Sequence, residues 1–175
     1  MKGKLDPRHQ GRIATLQALF EWSFNSTDIE GIITRDIEDY VQLDSSSQNK
    51  SQIDQELALF LAKGVTENLE PIDKIIESCA PEWPIIQIAK VDLEILRIAI
   101  FELSIARNVP PKVAIDEAVE LAKEFGGENS SKFVNGVLGT VVNEMLPEIE
   151  KTGTGKIDTT NKSIRTQKKQ GDVHE

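Results

Sequence analysis

The chain has 175 residues, a hydrophobic content of 39% and a formal net charge of -9 at pH 7. These values are typical of a globular protein, and they exclude a large multidomain machine and wholesale disorder. No stretch approaches the roughly 20 apolar residues of a membrane-spanning helix, and the N-terminus lacks the apolar segment of a signal peptide. We therefore expect a cytoplasmic protein with one domain or two small packed domains.

The sequence offers little material for catalysis. Its one cysteine, Cys79, excludes an internal disulfide, and its two histidines, His9 and His174, leave almost no material for a histidine metal cluster or a Ser-His-Asp triad. Carboxylate chemistry remains conceivable, since Asp116 and Glu120 share a helical face, but no nucleophile or glycine-rich loop adjoins them. We expect no enzymatic activity, no cofactor and no metal.

Charge is distributed unevenly along the chain. Residues 1–12 carry +3, residues 13–150 carry -15 and residues 151–175 carry +3. An acidic body can receive a basic protein, and basic ends can contact phosphate, although solvated faces and a solubilising tail explain the same charges.

Apolar residues recur at intervals of three and four almost throughout, which predicts an all-α fold. A first helix is expected over about 8–24 and a second over about 28–41. The polar stretch 43–52 is typical of a loop. A third helix is expected over 53–69, and Pro71 is suited to the first turn of a fourth.

The two prolines of PEWP at 81–84 predict a break in the helical pattern. The segment 92–106 is apolar on nearly every side, which is typical of a central helix, and its Arg97 must meet a carboxylate or reach solvent. Prolines and glycines then bound a helix over about 111–125. A last helix over 130–146 contains Gly136 and Gly139, which suggest close backbone packing there.

These elements predict a compact bundle of about seven helices in two subdomains. The boundaries fall at the PEWP break, giving an N-terminal helical subdomain with a basic end at 1–80 and a C-terminal helical subdomain at 81–150. Residues 151–175 contain few apolar side chains and are interpreted as a flexible polar tail.

Two places could bind nucleic acid. The first is the segment 125–133, which contains a glycine pair. There Asn129 or Ser130 can cap the next helix. Lys132 adds positive charge, and Phe133 could stack on a base. The alternative is a plain helical corner with Phe133 in the core, which the local sequence favours. At the start of the first helix, Arg8 and Arg12 are one turn apart and could contact neighbouring phosphates.

Five stretches of the chain resemble the NusB family of transcription antitermination factors. They follow in order along about 8–146, and the block from 109 to 138 is the most specific. The stretches are ALFEW (18–22), KGV (63–65), ILRIAIFEL (95–103), VPPKVAIDEAVELAKEFG (109–126) and SSKFVNGVL (130–138).

The resemblance implies an all-helical fold of two subdomains and a function without catalysis. In this family the protein pairs with the ribosomal small-subunit protein NusE, and the pair binds the boxA element of nascent RNA. RNA polymerase in the antitermination complex then reads through terminators, notably in ribosomal RNA operons.

The resemblance also implies particular site residues. Asp92 takes the acidic position that faces NusE. The arginine-rich start is thinned to two arginines, so RNA binding should depend more on NusE. Asn129 stands where an aspartate is common, which removes a negative charge beside the RNA path. The implied RNA-binding residues are Arg8, His9, Gln10, Arg12, Phe20, Asn129, Lys132 and Phe133, although the helical pattern alone favours Phe20 as core.

Two other functions stay open. A similar domain precedes the catalytic domain of certain ribosomal RNA cytosine methyltransferases, but this chain has no room for a cofactor-binding α/β domain, so only an accessory role remains. A homodimer that covers the RNA surface is the second alternative.

Overall fold

A computed structural model describes residues 6–44 and 52–147. The described residues form helices and contain no strand, so the predicted all-α fold is confirmed. A short 3₁₀ helix at Ile85–Gln87 follows the predicted break, and α5 and α7 continue as π-helical segments at Phe101–Ala106 and Val141–Met145. Within the described ranges there are seven α-helices, which are α1 Pro7–Asn25, α2 Ile29–Asp44, α3 Gln55–Glu67, α4 Leu69–Cys79, α5 Lys90–Ile100, α6 Pro111–Phe125 and α7 Ser130–Thr140.

Local hydrogen bonds explain where these helices begin and end. Asp6 caps α1 by accepting the backbone N–H of Arg8 at 2.9 Å, and Asp54 caps α3 in the same way. The third predicted helix ends at Glu67 because the side-chain amide of Asn68 donates to the Gly64 carbonyl at 2.7 Å.

Pro71 lies in the first turn of the fourth helix, as expected, although the helix begins two residues before it. Helix α4 begins at Leu69, so Pro71 is its third residue. A proline is tolerated there because the first N–H groups of a helix have no partner within it.

Helix α5 lies at the centre of the main hydrophobic core, as its apolar pattern predicts. The larger apolar cluster draws side chains from both sides of the 81–84 turn, and a smaller one joins α1, α2 and α3. The division into 1–80 and 81–150 stays a prediction. The buried residues of α5 and its π-helical extension include Leu93, Ile95, Leu96, Ile98, Ala99, Ile100, Phe101 and Leu103.

Close backbone packing occurs at other glycines than those expected. A Cβ added to Gly136 or Gly139 would meet nothing within 4 Å, so the prediction for these two positions is wrong. A Cβ at Gly64 would instead lie 2.0 Å from the ring of Phe101. Glycine at 64 therefore lets the aromatic ring of the π-helical segment lie directly against α3.

Three parts of the chain discussed above lie outside the described residues. They are the first five residues, including the basic Lys2 and Lys4, most of the polar 43–52 stretch, and the proposed tail at 151–175. No helix within the described ranges has the length and hydropathy of a membrane span.

Arg97 meets carboxylates, one of the two outcomes that the sequence allows. Its guanidinium donates to both oxygens of Asp73 at 3.0 and 2.9 Å and to Glu94 Oε1 at 2.8 Å. Burial raises the pKa of Glu94 to about 7, although Arg97 opposes this rise. The second oxygen of Glu94 is buried without a hydrogen-bond partner among the described residues.

The raised pKa of Glu94 predicts a loss of stability as the pH rises. In the unfolded chain Glu94 loses its proton near pH 4.5, whereas in the folded protein it keeps the proton up to about pH 7. The stabilisation from the protonated group is therefore complete below pH 4.5 and is lost as the pH rises through 7. From about pH 5 to about pH 8, the free energy of unfolding should fall by up to about 3 kcal/mol from this group. Urea titrations of Glu94→Gln should lack this fall.

The exposed Glu77→Gln variant, on α4, is the matched control and should keep the wild-type pH dependence. If the free energy of unfolding depended on pH in the same way in the wild type and in Glu94→Gln, the raised pKa of Glu94 would be contradicted.

Candidate nucleic-acid interface

Arg12 lies inside the protein and not on an exposed face of α1. Its Nε and Nη2 donate to the two carboxylate oxygens of Glu102 at 3.0 and 2.9 Å. The exposed fractions of the two side chains are only 2% and 1%. The predicted exposed face shared by Arg8 and Arg12 is therefore wrong for Arg12, because α1 packs against α5 and its extension through this pair.

The Arg12–Glu102 pair is charged and well satisfied. Burial disfavours the guanidinium charge, but the hydrogen bond and the attraction of Glu102 outweigh it and raise the pKa of Arg12. Asn108 donates a further hydrogen bond to Glu102 at 3.3 Å. Such a pair fixes the rotation of α1 as well as its position.

His9 is the second buried polar group at the start of α1. Its Nδ1 lies 2.7 Å from Glu117 Oε2, and its Nε2 lies 3.6 Å from Glu124 Oε2. Both carboxylates belong to α6, and Glu124 is in its last turn. The start of α1 therefore lies beside the end of α6, which leads directly into the corner at 126–129.

Arg8 and Gln10 complete the basic start. Arg8 is exposed, and no carboxylate of the described residues lies within 4.0 Å of its guanidinium. Gln10 is half-buried. Of the four predicted residues here, Arg8 alone presents a positive charge to solvent, because Arg12 is buried and His9 faces α6.

The corner between α6 and α7 shows a different capping arrangement from the one expected. Asn129 occupies the N-cap position of α7 and is exposed, but its side chain makes no capping hydrogen bond. Ser130 is buried, and its Oγ accepts the backbone N–H of Gly127 at 2.9 Å. This bond holds the glycine turn closed and leaves the amide of Asn129 facing solvent.

Lys132 and Phe133 follow on α7. Lys132 is exposed, has no carboxylate within 4.0 Å among the described residues, and borders an open groove of about 540 Å³ between α6 and α7. Phe133 is half-buried and meets the exposed Trp83 edge to face, with ring centroids 6.0 Å apart. The PEWP motif thus contributes an aromatic ring to this corner, which the sequence analysis missed.

Phe20 is exposed, in contrast to the core position that the helical pattern favours. Its exposed fraction is 36%, and its ring meets Phe24 edge to face at 5.2 Å. The Phe20–Phe24 spacing of four residues was visible in the sequence, but the same spacing is also typical of a buried stripe.

Asp92 lies in the first turn of α5 and is buried. Its Oδ1 has no hydrogen-bond partner among the described residues. Most buried carboxylate oxygens are paired, so this atom has an unused capacity to accept a hydrogen bond from a cation.

The carboxylates considered for catalysis are bound in ion pairs. Asp116 pairs with Lys112 and Glu120 with Lys123. The described residues contain no group of three or more side chains able to hold a metal ion.

Loss of the Arg12 side chain should destabilise the protein strongly. Arg12→Ala leaves Glu102 buried without its guanidinium partner, which costs about 3–5 kcal/mol in comparable pairs. Urea unfolding should show this decrease. Arg8→Ala removes an exposed arginine one turn away and should change the free energy of unfolding by less than about 0.5 kcal/mol. Equal effects of the two substitutions would refute the structural role of Arg12.

Comparison with known proteins gives matches along most of the chain. The model of the NusB family matches residues 9–143. Transcription antitermination protein NusB of Chloroflexus aggregans is 46% identical over 145 residues, covering 82% of this chain and 91% of that protein. The protein of the same name from Herpetosiphon aurantiacus is 41% identical, covering 82% of this chain and 93% of that protein.

Solved structures share the fold. NusB of T. maritima is 36% identical, with a TM-score of 0.67, over 85% of this chain and 99% of that one. A chain in the crystal structure of antitermination factors NusB and NusE in complex with dsRNA is 25% identical, with a TM-score of 0.63, over 76% of this chain and 93% of that one. Because both the family model and close relatives match nearly the whole helical region, the chain belongs to the NusB family.

Proposed function

We propose that the protein is a transcription antitermination factor that pairs with NusE and binds boxA RNA of nascent transcripts, notably those of ribosomal RNA operons. The pair promotes read-through by RNA polymerase, catalyses no reaction and acts in the cytoplasm. The 46% identity to a protein named Transcription antitermination protein NusB carries this proposal. The similarity to a chain from a complex of NusB, NusE and dsRNA supports both partners.

The RNA surface in this proposal lies where the start of α1 meets the corner before α7. Arg8 and Lys132 supply unpaired positive charge, which is the main source of affinity for phosphate. Beside Lys132, Phe133 offers the edge of its ring and Asn129 offers a side-chain amide that makes no capping hydrogen bond. Gln10 adds a polar group on α1.

His9 and Arg12 have a positioning role in this proposal. Both are buried against carboxylates of the C-terminal half, so they set the place and rotation of α1 and do not face solvent. Phe20, on the same helix, contributes an exposed ring to the RNA surface.

The NusE surface includes Asp92. The negative charge of this residue, in the first turn of α5, can attract a lysine or arginine of the partner. The charge of -15 over residues 13–150 favours association with a basic ribosomal protein.

Fluorescence anisotropy tests the proposal directly. Labelled boxA RNA and a scrambled control are titrated with the protein, alone and with NusE, at one salt concentration. We expect tighter binding to boxA than to the scrambled RNA, and a clear gain with NusE. No preference for boxA in either condition would refute the RNA function and favour association with protein alone.

Asp92→Asn should weaken binding to NusE. Loss of the negative charge leaves a cationic side chain of the partner without its acceptor, so Kd should rise about tenfold or more. Calorimetry with purified NusE measures this change. Glu70→Gln removes an exposed charge from α4 and serves as the control. An unchanged Kd for Asp92→Asn would place the NusE contact elsewhere.

A further inference from the structure

The exposed side of α1 carries a continuous stripe of five residues. Their spacing of three or four positions keeps them on one face of the helix. Its first half carries two amides with an isoleucine between them, and its end carries two rings. These rings are the most exposed apolar groups of the stripe, with Phe24 at 60% exposed. The residues of this α1 stripe are Gln10, Ile13, Gln17, Phe20 and Phe24.

A cation lies at the far end of the α1 stripe. Lys90 Nζ, from the start of α5, is 4.5 Å from the centroid of the Phe24 ring. No carboxylate of the described residues lies within 4.0 Å of this ammonium group. The ammonium group covers one face of the Phe24 ring, but its charge has no carboxylate partner and the side chain of Phe24 stays 60% exposed.

The electrostatic setting of the α1 stripe differs from that of the rest of the molecule. Helix α1 contains one acidic residue, Glu21, and Arg35 Nη2 holds its carboxylate at 2.6 Å. Unpaired cations lie at both ends, with Arg8 before the stripe and Lys90 after it. In a body of charge -15, α1 itself therefore brings no uncompensated negative charge to this face.

The length of the α1 stripe suits an extended ligand. From Arg8 to Phe24 the helix rises about 24 Å at the usual 1.5 Å per residue. Surfaces that follow single-stranded nucleic acid combine aromatic rings, on which unpaired bases stack, with positive charge along the backbone. A protein-binding patch of this size would instead have an apolar centre with a polar rim, whereas here Gln17 lies at the centre of the stripe and both rings lie at one end.

We infer that the α1 stripe and Lys90 form a track for single-stranded RNA. Bases stack on Phe20 and Phe24, and phosphates approach Arg8 and Lys90. The inference rests on the proposed RNA function and extends it by four residues, Ile13, Gln17, Phe24 and Lys90. RNA bound at the start of α1 thus continues along the helix towards α5.

A substitution that keeps apolar area but removes the aromatic face tests the track. Phe24→Leu should raise the Kd for RNA about five- to a hundred-fold, the range for loss of one stacked base. The probes are boxA RNA and an unstructured oligouridine of about 12 nucleotides. Phe60→Leu, at another exposed ring on α3, is the matched control and should leave Kd unchanged.

The charge of Lys90 is tested by the salt dependence of binding. Lys90→Gln should reduce the slope of log K against log salt by about 0.7, as expected for one phosphate contact on a single strand. Lys112→Gln removes an exposed, carboxylate-paired lysine from α6 and should leave the slope unchanged. Circular dichroism confirms that each variant keeps its helical content.

The outcomes separate the track from the proposed function. If Phe24→Leu binds both RNAs as the wild type does, the track is refuted while boxA recognition stands. If the wild type does not prefer boxA but Phe24→Leu still raises the Kd for oligouridine, the track stands and the proposed function fails. If Phe24→Ala weakens NusE binding and leaves RNA binding intact, the stripe is a protein contact and the track is refuted.

Discussion

The buried ion pair between Arg12 and Glu102 determines how α1 packs against the central helix. It joins α1 to the π-helical extension of α5, and its two hydrogen bonds fix the angle at which α1 lies. Because a helix presents different residues as it rotates, the same pair decides which face of α1 is covered. The exposure of Phe20 and Phe24 follows from it.

The protein uses much of its positive charge internally. Arg12 and Arg97 are both buried or nearly so, and each is bound by carboxylates through several hydrogen bonds. Pairs of this kind stabilise little in net terms, since removal of two charges from water offsets most of their attraction, but they strongly disfavour other arrangements. They therefore explain the specific packing of α1 and α4 against α5 better than they explain overall stability.

The remaining exposed cations gain importance from this internal pairing. Arg8, Lys90 and Lys132 have no carboxylate within 4.0 Å among the described residues, and each lies at the end of a helix or in its first turn. Against an acidic body, a few unpaired charges of this kind give a local attraction for phosphate that the net charge of -9 conceals.

Much of the fold could be predicted because it depends on local signals. Helix α6 follows from the prolines before it and the glycines after it, and the apolar pattern placed α5 at the centre. The partner of Arg12 could not be predicted, because Glu102 is distant in sequence and helical spacing says nothing about which helices meet. The prediction of close packing at Gly136 and Gly139 failed for the same reason. The glycine that packs closely is Gly64, because the Phe101 ring from another helix leaves no room for a side chain there.

The candidate site was predicted less completely than the fold. The resemblance identified the start of α1 and the corner at 129–133, but it did not distinguish buried residues from exposed ones. A phenylalanine at helical spacing normally indicates core, so Phe20 and Phe24 required the three-dimensional structure to be recognised as surface rings. Trp83 was hidden in a motif that sequence analysis used only as a helix break.

The sequence separation between Arg12 and Glu102 also has a consequence for biosynthesis. A chain is made from its N-terminus, so α1 leaves the ribosome well before α5 has been translated. The small cluster of α1, α2 and α3 contains its own apolar contacts and can begin to form at that stage. Arg12 and His9 remain without their carboxylate partners until Glu102, Glu117 and Glu124 emerge. The nascent protein therefore acquires its final α1 surface only when most of the helical region has been translated.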